Sequence, residues 1–129
     1  RNTAQSRDND WGGKDYYNGT ITGIDGRPIA VSSEHQILVY LLQNQEAVLM
    51  QHAIVLLQEK LDSKGWTHGV EYGFVGQMHD EYTAEVREDL AEEYKEVAED
   101  CIALAATKLN LRCPHKGEGE IGDNWWQIH

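Results

Sequence analysis

Positive charge is scarce in this sequence. Eleven Lys and Arg face 22 Asp and Glu across 129 residues, a net charge of −11 with His neutral. A protein that grips nucleic acid unaided is expected to be basic, because phosphate neutralisation supplies most non-specific affinity. That class is therefore not expected for the chain alone. Long apolar runs are missing too: none reaches the ~18 residues a membrane span needs. No signal peptide is visible, since Arg1 to Asp15 is polar throughout. Two cysteines, Cys101 and Cys113, make no disulfide framework. A reduced cytoplasmic compartment is the simple expectation. Cys113 and His115 resemble half of a zinc motif, but no second pair at ligand spacing exists. There is no initiating Met, as expected of a trimmed chain or of one taken from something longer. Internal repeats are absent as well.

What is present is an ordinary globular composition, 40% apolar and 26% charged, long enough for one domain and not two. Residues 1–16 read as a flexible tail, polar and without periodicity. Residues 20–31 read as a hairpin turning at Asp25-Gly26, a pair that tolerates positive φ. Pro28 puts its second strand at a sheet edge. Ser33 and Gln36 have capping-box spacing and open a helix over about 33–63. Leu38, Leu41, Leu42, Leu49, Ala53, Leu56, Leu57 and Leu61 recur at helical spacing, and further apolar residues widen the stripe, so much of this helix should be buried. Lys60, Lys64 and Gly65 suit its end. A second hairpin runs from Val70 to Val86. A second helix comes next, over about 87–109, with Leu90, Tyr94, Val97, Ala98, Cys101, Ala105 and Leu109 on one side. Eight acids lie between Glu85 and Asp100, opposed only by Arg87 and Lys95, which reads as a solvated face. A last strand is expected near 118–122. The sum is α+β: a small antiparallel sheet with two main helices.

The tripeptide His79-Asp80-Glu81 sits between the two strands of the second hairpin. Two acids at a hairpin tip can aim carboxylate oxygens at one point, as a hard divalent cation requires. The adjacent His offers a donor or acceptor. Taken alone, the tripeptide reads more readily as a solvated turn than as a site.

Five short stretches in order change that reading: Gly23 to Val31, Ser33 to Gln43, His79-Asp80-Glu81, Asn110 to Pro114, and Gly122 to Trp125, with His129 last. Together they resemble the C-terminal end of a family A DNA polymerase, the DNA polymerase I type and above all its phage replicative branch. The resemblance covers about residues 17–129 and implies part of a polymerase palm. It implies that Asp80 is the metal-binding aspartate of the second acidic motif, with Glu81 an auxiliary or structural acid. It implies that His79 faces the primer terminus, that Gln43 senses the minor groove near the primer end, and that Arg27 contacts template phosphate. His35, two turns before Gln43 on a similar helix face, is placed to touch a phosphate or sugar of the DNA. The implied cofactor is Mg2+ in a two-metal site. The implied partners are primer-template DNA, a dNTP and a larger polymerase piece, in the cytoplasm of a bacterium or phage-infected host. His129 falls where related chains also end in His, though a chain end is loose by default. Trp125 and Trp126 read as packing anchors.

Departures from the family pattern are informative. Val39 stands where the family usually has Asn, and Glu46 puts negative charge near the expected DNA. The first acidic motif is missing, and Asp62-Ser63-Lys64 does not replace it. The fingers helix and any exonuclease segment are missing too. The chain is thus not expected to act alone, whether it is a split gene product, an intein-separated half or an excised piece. The other reading left open is a stand-alone acidic interaction module, or a relic without catalysis.

Overall fold

A computed structural model describes residues 5–7 and 16–129, with side-chain detail from residue 19 onward. The architecture is α+β, with two small antiparallel sheets and two main helices. The chain divides into two compact units, Arg1–Val48 and Leu49–His129, where composition suggested one domain.

The first unit holds a three-stranded sheet ordered β1-β2-β3, with β1 Gln5–Arg7, β2 Tyr16–Thr22 and β3 Pro28–Val31. β1 lies inside the expected tail and pairs Gln5 with Asn18. The rest of that tail, residues 1–4 and 8–15, lies outside the described residues. Pro28 sits on the edge strand β3, where its missing N–H leaves no ladder bond unmade. The turn is longer than the expected two residues. Gly23 N–H donates to the Arg27 carbonyl at 2.8 Å, and Gly26 N–H to the Gly23 carbonyl at 3.0 Å. Gly26 closes this three-residue loop at φ 84°, which glycine adopts without steric cost.

Ser33 does cap the helical segment after β3, but as a partial box. Its hydroxyl accepts from His35 N–H at 3.3 Å, while the Gln36 side chain turns to Ser32 Oγ at 2.8 Å. A 3-10 turn, Glu34–Gln36, leads into α1, Ile37–Ser63. Burial along α1 is uneven. Leu38, Val39, Leu42 and Val55 are about half exposed or more, which corrects the expectation of a largely buried helix. Its buried stretch begins at Val48, and from Leu49 onward the stripe meets the core of the second unit.

That core is built from Leu49, Ala53, Leu56, Leu57 and Leu61 of α1, Tyr72 of β4, and Tyr94, Cys101, Ala105 and Ala106 of α2. β4 spans Tyr72–Met78, β5 spans Glu81–Val86 and α2 spans Ala91–Lys108. Leu57 and Leu61 have no exposed surface, and burying each stabilises by roughly 1.5–3 kcal/mol. α1 ends in a Schellman turn: Gly65 at φ 81°, its N–H on the Asp62 carbonyl and the Trp66 N–H on the Leu61 carbonyl. α2 ends the same way with Asn110 at φ 54°, whose short polar side chain tolerates the left-handed region.

The expected strand near 118–122 does not form. This segment lies along α2 instead. A Cβ on Gly117 would stand 2.6 Å from Ile102 Cδ1, and Gly119 N–H donates to Glu99 Oε1 at 2.7 Å. The glycines there permit close approach to the helix, not pairing. A 3-10 turn, Trp125–Ile128, closes the fold. No helix among the described residues is long and apolar enough to cross a membrane.

Candidate active-site hairpin

β4 and β5 pair from Tyr72↔Val86 to Met78↔Glu81, so the tip is a two-residue loop, His79 and Asp80. Only His79 carries positive φ, 52°, the sign pattern of a II′ hairpin turn. Between Phe74 and Gly76 the register shifts, leaving Val75 as a bulged residue. Bulges bend and twist a strand, and so re-aim the tip beyond it. Below the bulge, His68 Nε2 accepts from the Phe74 N–H at 3.0 Å. The hairpin's inner face is anchored as its alternation predicts. Tyr82, Ala84 and Val86 pack on the core, and the Tyr82 hydroxyl donates to the Ala98 carbonyl of α2 at 3.0 Å. Burial pushes the Tyr82 phenol well above its ordinary range, so it stays a neutral donor.

The two acids differ sharply. Asp80 is exposed at the tip, and its side chain has no hydrogen-bond or ion-pair partner among the described residues. Glu81 is the first residue of β5, not part of the turn. Its Oε1 accepts from Thr83 Oγ1 at 3.1 Å and pairs with His129 Nε2 at 2.7 Å. His129 lies stacked on Trp125, ring centroids 4.0 Å apart, and its Nδ1 faces the Trp125 carbonyl at 3.1 Å. Both ring nitrogens thus face acceptors, which the doubly protonated imidazolium satisfies. The Trp125 carbonyl first, then Glu81, raises the His129 pKa.

Sequence reasoning left His129 as a loose end and could not pair it with Glu81, 48 residues away. One usable signal existed. Asn124 and Gln127 have capping-box spacing, and Asn124 Oδ1 accepts from Gln127 N–H at 3.2 Å while Gln127 Oε1 accepts from Asp123 N–H at 2.7 Å. That reciprocal pair forms the turn that carries His129. The reading of Trp125 and Trp126 as packing anchors needs correction: Trp126 is 88% exposed, and Trp125, half exposed, packs on the imidazole.

The other singled-out residues belong to the first unit. Gln43 is exposed on α1. His35 is exposed in the 3-10 turn before it. Arg27 is exposed, but its guanidinium is tied to Asp25 within the same turn, and that bond holds the Asp25 carboxyl below its usual range. Among the described residues no three or more His, Cys, Asp or Glu converge as a metal-binding group.

An exposed aspartate at a hairpin tip, beside an acid held in place, sits in a chain that is similar to a portion of the family A, phage-type DNA polymerases. The chain is 34% identical over 112 residues to the DNA-directed DNA polymerase of Enterobacteria phage T3, covering 84% of this chain and 16% of that protein. It is 33% identical over 112 residues to the DNA-directed DNA polymerase of Escherichia phage T7, with the same coverage of 84% and 16%. DNA polymerase I of Aquifex aeolicus is 27% identical over 100 residues, 78% of this chain and 17% of that protein. The chain therefore spans about one sixth of the length of these curated relatives. No family model matches it.

Proposed function

We propose that this chain is the C-terminal palm portion of a DNA-directed DNA polymerase. In this reading it contributes Asp80 as a metal ligand for template-directed nucleotidyl transfer, and a larger piece supplies the first acidic motif and the fingers. The observation that carries the reading is the Asp80 carboxylate at the two-residue tip of the β4–β5 hairpin, exposed and without a partner among the described residues. Its donor chemistry suits Mg2+, which takes oxygen ligands, keeps several waters and commonly uses one or two protein carboxylates plus substrate phosphates. Asp80 would hold the ion, with the remaining ligands coming from another segment and from the dNTP. When bound, such ions lower the pKa of an attacking hydroxyl and stabilise the charge on the transferring phosphoryl group.

This chain's own residues position the DNA. His79, exposed beside Asp80, donates to the primer backbone. Gln43, exposed on α1, reaches minor-groove acceptors, which A·T and G·C pairs offer in similar positions. His35 and Arg27 contact the sugar-phosphate backbone, although Arg27 must first release Asp25. The setting is the cytoplasm of a bacterium or phage-infected host.

The test is reconstitution. The chain is mixed with a polymerase piece carrying the first acidic motif and fingers, then with Mg2+, dNTPs and primed template. Primer extension should appear only with both pieces present. Asp80→Ala should lower its rate by about 10²–10³-fold, as when one preorganised electrostatic stabiliser is removed. Undiminished extension by that variant would show that Asp80 is not a ligand. The exposed acids Glu92, Glu93 and Glu96 on α2 favour a second reading, an acidic docking module for a basic protein. That reading gains if both pieces associate without any extension.

A further inference from the structure

We infer that Glu81 and His129 form a clasp that fastens the Trp125–Ile128 turn to the start of β5, which makes Glu81 a positioning residue and leaves Asp80 as the free carboxylate of the tip. The geometry carries this. Glu81 Oε1 receives two donors, Thr83 Oγ1 at 3.1 Å and His129 Nε2 at 2.7 Å. The other end of His129 is fixed by the Trp125 carbonyl at 3.1 Å and by the stack on Trp125 at 4.0 Å. Trp125 in turn belongs to a turn closed by the Asn124 and Gln127 side chains. Gly122 lets the chain pass close beneath it, since a Cβ there would stand 2.7 Å from Gln127 Cβ.

Apart from the Glu81–His129 bond itself, each link is local in the sequence, and each leaves the next with fewer rotamers to lose. A charge-assisted bond between groups already held costs less ordering entropy than one between free side chains. The Glu81 oxygen is thus engaged before any ion or substrate arrives. A ligand role for Glu81 would fall to its Oε2 or require breaking the clasp, whereas Asp80 needs no such change. The assignment of Asp80 as the remaining ligand rests on the polymerase reading; the clasp itself does not.

The clasp is tested in the chain alone by NMR, without metal or DNA. Stacking on the Trp125 indole should move the His129 ring protons upfield of their free positions in the wild type. Glu81→Ala should return most of that displacement, and Glu81→Gln, which keeps a neutral acceptor, should return less. Tyr72 and Phe74 ring signals report whether the hairpin stays folded in each variant. His129→Ala provides a second view from the last residue of the sequence, where Trp125 indole signals should shift as they do in Glu81→Ala. Identical His129 positions in the wild type and a folded Glu81→Ala would overturn the clasp. So would Trp125 signals that respond to His129→Ala and not to Glu81→Ala. Failure of primer extension with an intact clasp would instead count against the polymerase reading.

Discussion

His129 presents its two ring nitrogens to two acceptors, the Trp125 carbonyl and the Glu81 carboxylate, and it feels Glu120 as a further negative charge. All three favour the imidazolium, with the Trp125 carbonyl the largest contributor. The folded chain therefore binds this proton more tightly than the unfolded chain, whose imidazole titrates near 6.5. The resulting stabilisation is complete below about 6.5 and is lost as pH rises through the raised folded value. The expected outcome is a melting temperature in which wild type exceeds His129→Ala near pH 6, with the gap closing toward pH 9. A gap that widens with pH would reverse the sign and refute the protonated pair. The two cysteines contrast in the same local terms. Cys101 is fully buried and burial raises its thiol pKa, whereas Cys113 is exposed.

At the scale of the element, the β4–β5 hairpin holds a residue that its backbone does not favour. His79 at φ 52° lies in the left-handed region, which costs an L-residue about 1–2 kcal/mol. Strain of this kind collects at functional tips. Glycine would remove it, but glycine also adds about 0.4–1 kcal/mol of unfolded-state entropy. The two terms nearly cancel. Denaturant melts should therefore find His79→Gly within about 1 kcal/mol of wild type, while β-branched His79→Val loses about 1 kcal/mol or more. A valine variant as stable as wild type would mean the turn is not held in this conformation. The hairpin was largely legible in the sequence, because Tyr82, Ala84 and Val86 alternate cleanly and a period of two leaves one choice of inner face. The bulge at Val75 had only a faint signal, the glycine at 76 within a strand pattern. The stop of α1 was readable from Gly65. The burial of α1 was not. Periodicity reports which residues could face a core and does not report whether a core is present over Leu38 to Leu42. The Glu81 and His129 contact was equally unreadable, since nothing local links residues so far apart in the chain.

For the molecule as a whole, charge decides what it can do unassisted. Its net charge is −11, and Glu92, Glu93 and Glu96 lie exposed along α2. Lys64 is already committed to Glu93 at 2.6 Å, and Arg87 to Asp89 at 2.7 Å. Such exposed pairs add little stability, about 0–1 kcal/mol, but they subtract from the cations available to phosphates. Non-specific DNA binding commonly reaches a Kd of about 10⁻⁴–10⁻⁶ M at physiological salt, and it grows with the number of phosphates neutralised. A chain with twice as many acids as bases should fall on the weak side of that range. In the proposed assembly the basic surface must then come from the larger piece, and this chain's part is to orient a duplex that others hold. Fluorescence anisotropy of a labelled primer-template, titrated with the chain alone in Mg2+ at about 0.15 M salt, should show a Kd weaker than about 10⁻⁴ M. Adding the complementary piece should produce binding that declines steeply as salt is raised. Micromolar, salt-sensitive binding by the isolated chain would instead locate a phosphate-gripping surface within these 129 residues, and the division of labour argued from charge would be wrong.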